Sequence, residues 1–480
     1  LVIHPWYGYT EVNPAIENPW QIRQDEEQWV KRDARTLIAH LTYEGDGYTL
    51  KYIGGYSDWD WNMHYDGDGI AQTNPVDNVD LWGNAWTVPV QGTVDTSDKK
   101  DFQSHEIQLL SDTDGRVDWV AGLYYYHEKV DGDWDWRTPG NEWLMNAYVD
   151  GTQTNWWETG TSLPNPEARG WYEGGTLEAD SYAIFGQVGY DMTDKWKLNS
   201  GLRYTHDKKE GTEFQQWWWM PQSWWMGPNG PLYSLWDPAA GEWVAASITG
   251  GYNTDEHEAD WDAVTGLVSI EYRPNDRSLW YLTASQGSKS GGFLLGSLAD
   301  REDTPENDAE VKDESLLSYE LGFKADLTDN FRLNAAAYYY DYEDMQTQVW
   351  VKRGSLNFLE LRNAHDVRAY GVELEALLRL GSRTTLNAAL SVARSEIKDF
   401  CGSDFETNPD GSTGCLANWQ YPGIAYDPSG HDMTQTPQTQ WAANLSHDIP
   451  VRTGTINANF TYSYVGAMEY SLFYLDESLA

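Results

Sequence analysis

From Leu317 to Tyr342 the chain reads LSYELGFKADLTDNFRLNAAAYYYDY, and apolar positions recur at every second residue. Tyr319, Leu321, Phe323 and Ala325 fall on one face, and Ser318, Glu320, Gly322 and Lys324 on the other. Asp326-Leu327-Thr328-Asp329-Asn330 reverses the chain. The return arm sets Phe331, Leu333, Ala335, Ala337 and Tyr339 against Arg332, Asn334, Ala336, Tyr338 and Tyr340. A period of two is the signature of a strand with one apolar face, and two such arms around a turn make a hairpin.

The unit recurs. Hairpins are predicted over Arg32–Trp61, Phe102–Trp136, Ser181–His206 and Trp261–Ser288, then over Val367–Asp399 and Gln438–Tyr464. Their turns are short and rich in Gly, Asp and Asn, as in Glu44-Gly45-Asp46-Gly47 and Asp112-Thr113-Asp114-Gly115. The segments between hairpins are long and polar: Asn62–Lys100, Asp131–Ala179, Asp207–Ala259 and Lys289–Asp313 read as loops. Val349–Arg362 reads as strand with a break at Arg353-Gly354. The alternation predicts roughly 15–16 strands, many long enough to cross a bilayer at a tilt of about 45°. Short turns at one end and long loops at the other match outer-membrane barrels, whose lumen also solvates mid-strand charges such as Lys197, Arg203, Glu320, Lys324, Arg332, Glu373 and Glu375. The competing reading is a soluble β-protein, with the apolar rows turned inward and the charged rows outward.

Composition sharpens this. No stretch approaches the roughly 18 apolar residues of a membrane-spanning helix, and mean hydropathy is −0.65. That excludes a helical membrane protein but not a barrel, whose strands are only half apolar. The net charge of −43 has the wrong sign for holding nucleic acid. So acidic a chain is often disordered, but 27 Trp, 31 Tyr and 11 Phe are far too many for disorder and suit aromatic girdles.

The two cysteines, Cys401 and Cys415, bracket CGSDFETNPDGSTGC, a loop of turn-formers. A disulfide in an oxidising compartment is the expectation; two unrelated thiols stay open, and no nearby His or Cys completes a metal site. The first residues, LVIHPWYGYTEVNPAIENPW, lack a basic start, an apolar core and a cleavage site, so they are not a signal peptide. A mature or truncated chain is expected.

Several hairpins resemble segments of TonB-dependent outer-membrane receptors. They are DFQSHEIQLLSDTDGRVDWVAGLYYYHE (Asp101–Glu128), SYAIFGQVGYDMTDKWKLNSGLRYTHDKK (Ser181–Lys209), SQGSKSGGF (Ser285–Phe293), LLSYELGFKADLTDNFRLNAAAYYYDYEDMQ (Leu316–Gln346) and NAHDVRAYGVELEALLRL (Asn363–Leu380). They occur in family order between Arg32 and Tyr464. The resemblance implies an all-β fold, a large antiparallel transmembrane β-barrel of the 22-stranded type, in the bacterial outer membrane. Residues 1–480 would form part of that barrel, without the family's N-terminal plug or its last strands. The resemblance further implies uptake of a scarce ligand, most often a ferric siderophore, and energy coupling through TonB–ExbB–ExbD by way of the plug. Outer-membrane lipids and lipopolysaccharide would surround the barrel, and a small molecule or glycan would be the ligand.

No motif for catalysis emerges. Gly287-Ser288-Lys289-Ser290 lacks the upstream glycine of a phosphate loop, and His105-Glu106 lacks the second His of a zinc helix. An enzyme is not expected, nor a resident metal centre. Acidic turns such as Asp66-Gly67-Asp68-Gly69 and Asn408-Pro409-Asp410-Gly411 could hold calcium, although neither completes a twelve-residue ligand loop. The sharpest functional candidates are loop tryptophans: Trp156 and Trp157 after the second hairpin, and Trp217, Trp218, Trp219, Trp224 and Trp225 after the third. Exposed Trp stacks on sugars or aromatic ligands, though it also packs loops together or anchors at a membrane interface. The other readings are a plug-less barrel serving as a scaffold, surface-assembly or polysaccharide-binding subunit, and a soluble carbohydrate-binding β-protein.

Overall fold

The computed structural model describes residues 26–67, 92–112, 115–137, 169–219, 253–293, 310–353, 356–399 and 429–469, and short strands within 2–11, 76–88, 145–153 and 226–245. Among the described residues every regular element is a strand. Fourteen long strands follow one another: β1 (Trp29–Glu44), β2 (Tyr48–Asp66), β3 (Thr93–Ser111), β4 (Val117–Arg137) and β5 (Arg169–Thr193). Then come β6 (Trp196–Trp219), β7 (Asn253–Asn275), β8 (Ser278–Lys289), β9 (Glu314–Thr328) and β10 (Phe331–Arg353). The last four are β11 (Leu356–Leu380), β12 (Thr384–Asp399), β13 (Thr439–Val451) and β14 (Gly454–Val465). Each pairs antiparallel with the next in sequence, so one meander forms a single sheet; a short strand, Met145–Asn146, joins the end of β6 and makes it 15-stranded. This agrees with the strand number read from the turns.

All seven predicted hairpins are present, closed by turns such as Asp194-Lys195 and Asp329-Asn330. At the opposite end the strands run much further than alternation indicates. Stretches read as loop, Asp131–Arg137, Arg169–Ala179, Asp207–Trp219 and Asn253–Ala259, are paired strand. Trp217, Trp218 and Trp219 therefore lie not in a loop but on the end of β6, opposite Trp171, Asn146 and Met145. Across the break expected at Arg353-Gly354, Arg353 pairs with Leu356, so β10 and β11 run on as one tall ladder. The reason is common to all of them. Backbone pairing continues wherever a neighbouring strand is present, but where both faces meet water the side chains lose the period of two that makes a strand readable.

The apolar rows are exposed. Leu202, Val264 and Phe460 are 68%, 64% and 67% accessible, and Tyr182, Ile184 and Val188 share that face. The buried hydrophobic residues among those described are few: Val94, Ala183, Trp261, Val311, Ala325, Val367 and Ile397. A two-layered soluble protein would have buried the rows themselves. An apolar band this wide is stable against hydrocarbon, not water. Aromatic residues bound the band: Tyr52, Tyr125, Tyr182 and Tyr204 towards the long connections, Trp119, Tyr190, Trp196 and Trp280 towards the turns. The interval Tyr182–Tyr190 matches the roughly nine to eleven residues a tilted strand needs to span a bilayer. Trp196 stacks on Tyr272 with ring centroids 4.4 Å apart.

Beyond the first girdle the same face becomes charged. Lys208 Nζ reaches Glu210 at 2.6 Å and Glu258 at 2.7 Å, and the Thr176 and Thr212 hydroxyls are 2.7 Å apart. Asp135, almost fully buried, accepts from both Arg137 and Arg169. Cross-strand polar pairs thus replace lipid contact in holding the raised part of the sheet.

On the opposite face aromatic rings lie over cross-strand glycines. Phe185 covers Gly122, Tyr281 covers Gly322 and Tyr338 covers Gly371, and each pair is directly opposed in register. A Cβ on Gly322 would overlap the Tyr281 ring, whose hydroxyl donates to Glu320. Such pairs fix register where a bare glycine would leave it loose.

Replacing Leu202 by Arg is expected to destabilise the folded barrel by about 2–4 kcal/mol in urea titrations into lipid vesicles, while Thr212→Arg on the same face beyond the girdle changes it by less than about 1 kcal/mol. Gly322→Val is expected to expel the Tyr281 ring and cost about 1–3 kcal/mol in the same titration.

Candidate ligand-facing wall

The polar face is where chemistry can concentrate. Because side chains alternate, the residues opposite the apolar rows share one wall: Arg32, Trp59, Lys100, Phe102, Tyr124, Arg203, Lys209, Trp261, Tyr281 and Lys324 all fall on it. On this wall cations sit over aromatic rings. Arg32 lies 4.6 Å from the Trp59 ring centroid, Arg203 5.0 Å from Tyr124, Lys209 5.4 Å from Trp261 and Lys324 5.7 Å from Tyr281. Lys100 stands 5.9 Å from Phe102 and 2.7 Å from the Glu128 carboxylate. Lys100 and Phe102 are two residues apart on β3; each of the other four pairs joins different strands, so the sheet's register assembles it. In a chain of net charge −43 these are local islands of positive charge backed by flat apolar surface.

The densest part of the wall lies where β6 and β7 rise past the girdle. Lys209 Nζ donates to the Gly291 carbonyl at 2.5 Å. Phe293 packs on Trp261 and on His257, with ring centroids 6.0 and 5.3 Å apart. His257 is buried beside Glu213, Nε2 to Oε1 3.7 Å. Burial holds the Lys209 ammonium below the ordinary lysine range; Asp207 works against this and Lys289 adds to it. Nearby on the same wall, burial first and then the Asp133 charge push the Asp98 carboxyl above its usual range.

The segment after β8 is stapled to this wall. Gln346 Nε2 donates to the Ser290 and Lys312 carbonyls at 2.9 and 3.0 Å, and Asn363 exchanges hydrogen bonds with the Lys312 backbone at 2.8 and 3.0 Å. Gln346 and Asn363 are cross-strand partners, placed by an irregularity in β10 where Asp344 adopts φ 55°. Gly291 has no room for a side chain, since a Cβ would collide with the Val311 carbonyl and the Trp261 ring. A second concavity, of about 540 Å³, lies at the level of the apolar band and is lined by Tyr281, Glu320, Lys324, Tyr338, Tyr340 and Glu373.

Of the candidates from sequence, Trp217, Trp218 and Trp219 have a backbone position at the end of β6, where Trp217 pairs with Trp171 of β5 and Trp218 and Trp219 pair with the short Met145–Asn146 strand. Trp156, Trp157, Trp224, Trp225, Cys401 and Cys415 lie outside the described residues, as do the acidic residues of Asn408-Pro409-Asp410-Gly411. Of the other acidic turn, Asp66 is buried at the end of β2. Lys209, Trp261, Phe293 and Lys100 escaped sequence reading. Alternation within β6 puts Lys209 on that strand's polar face and alternation within β7 does the same for Trp261, but the register that joins them spans the long β6–β7 connection and carries no sequence signal.

Over residues 4–473 the chain matches the family described as TonB dependent receptor-like, beta-barrel. It is 25% identical over 222 residues to the pesticin receptor of Yersinia pestis, which covers 46% of this chain and 27% of that receptor. The crystal structure of the ferric yersiniabactin uptake receptor FyuA from Yersinia pestis aligns with a TM-score of 0.62 at 17% identity, covering 93% of this chain and 51% of that one. BauA, the ferric preacinetobactin receptor from Acinetobacter baumannii, aligns with a TM-score of 0.53 at 15% identity, covering 91% and 53%. The chain thus spans about half the length of these solved receptors and less of the curated one. With its exposed apolar rows, girdled strands and polar wall, the chain belongs to the TonB-dependent receptor-like β-barrel family of the bacterial outer membrane.

Proposed function

We propose that the chain supplies barrel strands to a receptor that takes up a scarce ligand, a ferric siderophore or similar metal-chelate nutrient, across the outer membrane. The observation that carries this is the wall of cation-over-aromatic pairs beside the stapled segment after β8. Ferric chelates built on aromatic acids present planar aromatic arms and are often anionic, and both properties are matched by a lysine poised over an indole. FyuA and BauA, receptors for ferric yersiniabactin and ferric preacinetobactin, support the same class of cargo. On this reading the protein is a transporter, not an enzyme. TonB–ExbB–ExbD supplies energy through a plug, and lipopolysaccharide packs around the outer face. The tryptophans at 156–157 and 217–225 catch the ligand or a glycan before it reaches the wall. Acidic connections hold calcium where they face anionic lipid, and Cys401 and Cys415 are joined.

In a strain lacking the chromosomal gene, uptake of iron-labelled siderophores is expected to be restored by the complete receptor. Lys209→Ala with Trp261→Ala should raise the half-saturating concentration about ten-fold, the equivalent of ~1–2 kcal/mol for a partly desolvated cation–aromatic contact. Unchanged uptake of every tested chelate after deletion of the gene would end this reading. The cysteines are expected to resist alkylation in the outer membrane until a reductant is added, and mass spectrometry of the digest should show Cys401 linked to Cys415.

A further inference from the structure

The outer face just past the first girdle carries the same constellation twice. On β4 and β5, His127 stands directly opposite Asp180, with Nδ1 3.1 Å from Oδ1, and Tyr125 donates its hydroxyl to the same carboxylate at 3.0 Å. On β6 and β7, His206 stands opposite Asp262 at 3.0 Å, and Tyr204 donates to that carboxylate at 2.6 Å. In each a second carboxylate lies two residues further along the strand, Glu178 in the first and Asp260 in the second. All three donor atoms of each set lie within 4.8 Å of one another.

We propose that these are two divalent-cation sites on the outer wall, one built by His127, Glu178 and Asp180 and the other by His206, Asp260 and Asp262. Three arguments carry it. First, the distances fit. Ligands at about 2.0–2.2 Å from a metal stand roughly 3.0–3.4 Å apart, so the His–Asp pairs already have the separation of two neighbouring ligands once the shared proton leaves. Second, the charge is uncompensated. Among the described residues no lysine or arginine forms an ion pair with Asp180, Asp260 or Asp262; Lys208, the cross-strand neighbour of Asp180 and Asp260, is committed to Glu210 and Glu258. Lys129 reaches only Glu178, at 3.6 Å. Third, the location demands a counter-ion. The sites sit where an acidic wall rises out of the apolar band and meets lipid headgroups, and two anionic surfaces in contact need cations between them.

An imidazole with two carboxylates suits zinc-like ions better than magnesium or calcium, which prefer all-oxygen shells. The remaining coordination positions are open to water or to a headgroup phosphate oxygen. Uptake through the lumen does not depend on these residues.

The test is zinc titration calorimetry on the complete receptor isolated from outer membranes in detergent and stripped with chelator. Two zinc ions are expected to bind per chain. His127→Gln and His206→Gln should each weaken one site at least ten-fold, and the double variant should weaken both. Copper(II) loaded on the unsubstituted receptor should show coupling to a single imidazole nitrogen at each site by electron paramagnetic resonance, a readout independent of whether the variants fold. Zinc binding that is absent, or equal in the double variant with intact heat-modifiable mobility, overturns the proposal as adventitious ions only. A copper spectrum without nitrogen coupling overturns it too.

Discussion

Hydrocarbon offers backbone amides no partner, and every other feature of this molecule answers to that. A peptide group left unpaired in the bilayer core costs several kcal/mol, so a strand crosses only with a neighbour on both sides. Across fourteen strands the ladder runs unbroken, from Trp29–His64 at one margin to Val451–Gly454 at the other. Among the described residues the outward edges of β1 and β14 have no strand beside them. The same requirement makes those two edges the places where further strands must join before the sheet can stand in lipid.

With pairing settled, side-chain chemistry is free to differ between the faces and along each strand. Leu202, Val264 and Ile184 meet lipid on one side. Two or four residues along the same strands, His206, Asp262 and Asp180 stand among charges. On the polar side the glycine–aromatic pairs hold register in places where no hydrophobic layer can do so, and this register brings Lys209 to Trp261 and Gln346 to Asn363. Geometry at the wall is therefore inherited from the ladder rather than from any local motif.

This explains which parts of the molecule could be read from its sequence. The seven hairpins were legible because, inside the bilayer, one face must be oily and the other need not be; Tyr182 to Tyr190 and Trp196 to Tyr204 show the alternation cleanly. The extensions, such as Glu173 to Ala179 paired with Lys209 to Gln215, were not legible, since water bathes both faces and nothing forces a period. The wall pairs were hidden for a different reason. Lys209 and Trp261 belong to separate strands, and only an exact register puts them together. The tryptophan runs were conspicuous by composition, but Trp217 to Trp219 proved to extend β6, where pairing with β5 governs them.

The raised ladders also set how the molecule bears load. Along the strand direction, β5 and β6 are joined by a continuous row of rungs from Trp171–Trp217 to Asp191–Lys197. A pull parallel to those strands shears all the rungs at once, whereas a pull across them peels one rung at a time. The sheet is consequently stiff along its strands and weaker across them, so sideways tension would part neighbouring strands before it stretched any one of them.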